Sequence, residues 1–150
     1  QRTDRPAVQS GRASQVSAQH AVAASLLRGR AGLNEFSDEA LYTLGLVLQN
    51  QQKYADAMSY YERVIKVNPN HIFAHYNLAV IQSLFENFEE SIDWCEKTLD
   101  LHPEFVNAMA LKGYCYEMQG NKKAALQEYK AALSINPGLD LAKIGLKNVQ

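Results

Sequence analysis

From residue 38 onward, apolar side chains return every three or four positions, in runs of about fourteen residues separated by short polar breaks. That is the period of a helix with one buried face. It predicts helices over about 38–51 and 54–67, 72–85 and 88–101, and 106–119 and 122–135. Three prolines punctuate the pattern in matching settings, Val67-Asn68-Pro69, Leu101-His102-Pro103 and Ile135-Asn136-Pro137, and the steps from Pro69 to Pro103 and from Pro103 to Pro137 are both 34 residues. A proline cannot continue a helix, so each closes one unit and sets the entry into the next. Two helices per unit at this period predict an all-α solenoid of stacked helix-turn-helix repeats.

The repeat survives inspection of single positions. With units starting at Asp38, Ile72 and Val106, the eighth position is Gly45, Ala79 and Gly113, and the twentieth is Ala57, Ser91 and Ala125. Helices approach closely only where neither carries a bulky side chain, so these small residues mark where the paired helices cross. The twenty-fourth position holds Tyr61, Cys95 and Tyr129, and the seventh holds Leu44 and Leu78 in the first two units, as packing residues. After Pro137-Gly138, the run Asp140-Leu141-Ala142-Lys143-Ile144-Gly145-Leu146-Lys147 predicts one more helix, apolar on one side, that caps the third unit over 140–150.

These residues resemble the tetratricopeptide repeat family, most fully in the third unit, from Asn107-Ala108-Met109 through Gly113, Tyr116, Gly120, Ala125, Tyr129, Ala132 and Pro137. The resemblance covers 38–137 and implies a right-handed α-solenoid of three repeats (38–71, 72–105 and 106–139) plus the C-terminal capping helix. The first unit departs from the family pattern at Leu48, Gln52 and Val64. The second departs further, with His75 for Trp, Gln82 for Tyr, Ser91 for Ala and Cys95 for the aromatic.

Family resemblance also implies a concave binding surface on the first helix of each unit. At its lining positions stand Tyr42 and Leu46 in the first unit, Phe73, Tyr76, Asn77, Val80 and Leu84 in the second, and Leu111, Tyr114 and Met118 in the third. Such an apolar and aromatic stripe suits an amphipathic helix or apolar peptide segment of a protein partner. Members that grip the acidic C-terminus of heat-shock chaperones use Lys, Asn and Arg at set positions, and only Asn77 matches. Tyr42, Leu46, Asn107 and Leu111 occupy the others, so a terminal carboxylate meets no cation, and a chaperone carboxylate clamp is not expected. The asparagine ladder of other members is equally absent, the series here being Thr43, Asn77 and Leu111.

Residues 1–37 are different material. They carry five Arg (Arg2, Arg5, Arg12, Arg28, Arg30), no Lys and two acids (Asp4, Glu35), a balance of +3 in a chain whose net charge is -1. Residues 1–12 read as disordered, and about 13–29 as one Ala-rich helix with an apolar stripe of Val16, Ala23, Leu26 and Leu27. The alternative to an adaptor is therefore a self-assembling structural subunit, a homo-oligomer in which this segment docks in a neighbour's groove. Tyr60 and Trp94 are further candidates for an outer contact.

Composition and motifs narrow the remaining classes. No Gly-rich phosphate loop, Cys-x-x-Cys, His-Glu-x-x-His or nucleophile elbow is present, so neither an enzyme nor a cofactor site is expected. His71 and His75 stand four apart without a third ligand, and packing explains them better than a metal does. With 15 basic and 16 acidic side chains and no long apolar run, neither nucleic-acid binding nor membrane insertion is expected. Cys95 and Cys115 fall on neighbouring helices and read as two buried thiols, which fits the cytoplasm; a disulfide between them would argue instead for an exported or periplasmic protein.

Overall fold

The computed structural model describes residues 37–150, and the N-terminal extension with its expected helix at about 13–29 lies outside the described residues. The described residues form helices and turns with no strand. In chain order the helices are α1 (Asp38–Asn50), α2 (Tyr54–Val67), α3 (Ile72–Leu84), α4 (Phe88–Leu101), α5 (Val106–Met118), α6 (Lys122–Ile135) and α7 (Asp140–Val149). The chain divides into two compact units between Pro69 and Asn70. The physical reason is that each helix of a repeat buries its apolar face against sequence neighbours, so contacts stay local.

In the first unit α1 packs on α2. The Ser37 hydroxyl caps α1 by accepting from the Ala40 N–H at 3.2 Å, and Asn68 Nδ2 donates to Asp38 Oδ2 at 2.8 Å, tying the two ends of the hairpin together. At the crossing, Gly45 makes room for the Tyr61 ring, because a Cβ there would sit 2.5 Å from Tyr61 Cε1. The Tyr61 hydroxyl emerges beyond the crossing and donates to Gln49 Oε1 at 2.6 Å.

In the second unit α3 pairs with α4, α5 packs on α4 and pairs with α6, and α7 covers α6 and α5. Its two hairpins are filled differently. In α5–α6 the Tyr129 ring is fully buried between Gly113 and Gly145, a Cβ at Gly113 falling 2.8 Å from Tyr129 Cε1 and one at Gly145 closer still. In α3–α4 the corresponding partners are Ala79 and Cys95, and Leu111 joins them, with Ile92, Ala108 and Cys115, in one buried cluster. Ser91 fits at its crossing by donating its hydroxyl to the Ala79 carbonyl at 2.7 Å.

The turn inside each hairpin demands a left-handed residue, and the requirement recurs at the repeat interval: Gln52 and Glu86 at φ 62° and Gly120 at φ 82°. Glycine meets it without steric cost only at the third turn.

Candidate functional site

Helices α3 and α5 lie in one compact unit and touch each other. On α3, Phe73, Tyr76, Val80 and Leu84 follow each other at three or four residues, hence on one side of the helix. On α5 the residues one repeat later than Val80 and Leu84 are Tyr114 and Met118. Phe73 is 55% exposed, Leu84 53% and Met118 51%, while Tyr76, Asn77, Val80 and Tyr114 are half-buried. In the first unit Tyr42 and Leu46 are half-buried on α1, and the Tyr42 ring lies 5.7 Å from that of Tyr61.

Leu111 is the exception among the sequence-derived lining residues. At 7% exposure it belongs to the core cluster and not to an open face. The reason lies at position 95. Gly145 stands sixteen residues after Tyr129 and Leu111 sixteen after Cys95, so where a ring fills the space the following helix offers glycine, and where a thiol leaves it open the leucine turns inward.

Phe105 is a residue that the sequence reading missed. Its position repeats that of Ser37 and His71, both of which cap the next helix through a side-chain acceptor, His71 Nδ1 taking the Ala74 N–H at 3.1 Å. Phe105 cannot cap. Its ring instead sits 5.9 Å from Phe73, 5.1 Å from Tyr76 and 5.8 Å from His102, forming an aromatic group at the N-terminal end of α3 and α5. The signal was available as an aromatic standing in a slot that otherwise holds a polar cap. At mid-length the Tyr114 ring packs edge-on against Phe88 at 6.2 Å. Burial pushes the Tyr76 hydroxyl up to about 12, with the nearby Cys95 adding to the rise, so Tyr76 stays neutral and presents an O–H.

Charge is scarce on this face. The only Lys or Arg in α3 and α5 is Lys112, whose Nζ lies 3.3 Å from Glu96 on α4 and 3.6 Å from Glu128 on α6. Burial alone would lower the Lys112 pKa, but Glu128 and Glu96 overcome it and hold the value above the ordinary one. The Glu117 carboxylate accepts from the Tyr129 hydroxyl at 2.7 Å.

The other residues singled out by sequence have structural partners. His75 is buried, its Nδ1 2.8 Å from the His71 carbonyl and its ring 5.8 Å from Trp94. Among the described residues no three His, Cys, Asp or Glu converge as metal ligands, and no helix is long and apolar enough to cross a membrane. Cys95 and Cys115 are buried free thiols whose pKa values burial raises. Tyr60 lies under the Arg63 guanidinium at 5.2 Å and Trp94 under the Lys97 ammonium at 4.3 Å, so both outer aromatics already carry a cation.

Residues 38–71 and 106–139 each match the family model described as tetratricopeptide repeat. Sperm-associated antigen 1 of Mus musculus is 30% identical over 97 residues, covering 65% of this chain and 11% of that protein. The chain thus spans about a tenth of the length of the curated relatives that it matches. Among solved structures, YrrB, described as a TPR protein with an unusual peptide-binding site, superposes with a TM-score of 0.73 at 22% identity over 91% of this chain and 71% of that one. The first TPR of Spaghetti (RPAP3) bound to an HSP90 peptide gives 0.73 at 18% identity over 75% and 90%. The 34-residue interval, the paired helices with small residues at their crossings and the two matched segments agree: the chain belongs to the tetratricopeptide repeat family.

Proposed function

We propose that this chain is a protein-interaction module whose α3/α5 face holds an apolar, amphipathic segment of a partner protein. The carrying observation is the exposure of Phe73, Leu84 and Met118, each more than half open to solvent, around the half-buried Tyr76, Val80 and Tyr114. Large apolar side chains grouped in this way mark an interaction surface more than a solvated one. Phe73 and the rings of Tyr76 and Phe105 supply a rigid aromatic end, and Leu84 with Met118 an adaptable aliphatic one. Peptide binding is also the property for which YrrB is described and in which Spaghetti was captured, the latter bound to an HSP90 peptide.

The chemistry of the ligand is a separate matter. An acidic C-terminal peptide needs a free cation, and the one Lys of these two helices is held between Glu96 and Glu128. The proposed ligand is therefore apolar at helical spacing, and the face is no carboxylate clamp. Selection of short random peptides on the immobilised chain tests this. The expected winners carry large apolar residues at i, i+3 or i+4 and i+7, and the combined variant Phe73→Ser/Leu84→Ser/Met118→Ser weakens them about tenfold or more while far-UV circular dichroism stays unchanged. Winners dominated by acidic C-termini would overturn the reading.

A further inference from the structure

Cys95 and Cys115 are the two cysteines of the chain, and both are fully buried as free thiols. The repeat itself brings them together. Cys115 stands twenty residues after Cys95, and Val149 stands twenty after Tyr129. Each pair shares one buried cluster, so these two positions pack across the boundary between consecutive repeats. Where the later pair joins a ring to a valine, the earlier one joins a thiol to a thiol. The Ser91 hydroxyl lies against both sulfurs, held there by its hydrogen bond to the Ala79 carbonyl at 2.7 Å. Two sulfurs in reach of one hydroxyl, on packed helices α4 and α5, need only side-chain rotation to meet. Tyr76, Val80 and Tyr114 of the α3/α5 face pack on the same cluster, so the thiols lie directly beneath that face.

We propose that Cys95 and Cys115 are a redox pair, closed by a low-molecular-weight disulfide into a bond that ties α4 to α5 beneath the face. One thiolate attacks a sulfur of the oxidant, whose S–S bond breaks and releases a thiol. The second thiolate then attacks the protein sulfur of the mixed disulfide and releases the other thiol. The two cysteines together lose two electrons and two protons, and the oxidant takes up both. Burial raises both thiol pKa values, which makes the attacking thiolate scarce. The dithiol and the disulfide are both uncharged, however, so burial limits the rate of exchange and not where it comes to rest. The pair stands independently of what the face binds.

The test equilibrates the full-length chain with mixtures of oxidised and reduced glutathione, in buffer and in concentrated urea. Each series starts once from the reduced chain and once from chain oxidised in urea and refolded, so slow exchange cannot pass for equilibrium. Alkylation of the remaining thiols and peptide mass spectrometry read the oxidised fraction. By linkage, the factor by which the fold favours the bond is the factor by which the bond stabilises the fold. Half-oxidation in buffer should need at least about tenfold less oxidised glutathione than in urea, with Cys95 joined to Cys115 within one chain and far-UV circular dichroism unchanged. An equal or greater demand for oxidant in buffer overturns the proposal, because the fold would then resist the bond. Persistent mixed disulfides at both sulfurs, bonds between two chains, or loss of helicity on oxidation overturn it as well.

Discussion

Hairpins α3–α4 and α5–α6 lie in one compact unit and follow the same 34-residue interval, yet their centres are filled in opposite ways. In α5–α6 a single large ring, Tyr129, occupies the crossing between two glycines and reaches through to the Glu117 carboxylate. In α3–α4 the same volume is divided among Ala79, Cys95 and the inward-turned Leu111, with Ser91 anchored on a backbone carbonyl. The hairpin α1–α2 follows the first solution, with Gly45, Tyr61 and Gln49 in the corresponding places. What the repeat conserves is therefore the filled volume at the crossing and not the residue that fills it.

Substitutions that exchange the two solutions probe this contrast. The largest expected effect is Tyr129→Ala, which empties the space between Gly113 and Gly145 and should cost about 3–5 kcal/mol in urea unfolding. A cost near that of a surface substitution would mean that the ring is not the filler. Cys95→Tyr asks the reverse question. Placed beside Ala79 and Leu111 the ring overfills the site, for a loss of about 1–3 kcal/mol, and Ala79→Gly with Leu111→Gly should restore part of it as a non-additive gain. Strict additivity of the three changes would break the volume argument.

Three smaller effects sharpen the picture. Tyr129→Phe keeps the ring and removes only the hydrogen bond to Glu117, an expected loss of about 1 kcal/mol. Burial, and then Glu117, raise the Tyr129 pKa, and burial raises that of Cys95. Both groups are acids held neutral in the fold. Their contribution is complete below their unfolded pKa values and is lost as pH climbs beyond them, above about 8.5 for the thiol and about 10 for the phenol. Unfolding followed from pH 7 upward should show stability falling in that window, and Tyr129→Phe should remove part of the fall above about pH 10. The smallest effect is at the turns: Gln52→Gly and Glu86→Gly should each stabilise by about 0.5 kcal/mol by relieving positive φ, whereas Gly120→Ala should destabilise by a similar amount.

How much of this was legible in the sequence follows from the range over which each feature is decided. Helices, turns and crossings are set by residues within one repeat, so the spacing of Pro69, Pro103 and Pro137 and the small residues at Gly45, Ala79 and Gly113 were enough to place them. The face was partly legible. Phe73, Leu84 and Met118 are open as their positions imply, but the orientation of Leu111 depends on a buried residue sixteen positions earlier on another helix. Phe105 escaped because its ring partners Phe73 and Tyr76 lie 29 or more residues away. The division at Pro69 was not legible at all, since composition averages over both units.

Leu111 carries a wider lesson about how a repeat array acquires its surface. Because Cys95 leaves room that the leucine takes, a buried side chain on one helix decides which letters the next helix can show to the outside. A change at position 95 would be invisible to any partner and yet would rewrite what that partner reads. In an array built this way the vocabulary of recognition is inherited from the interior, one neighbour at a time.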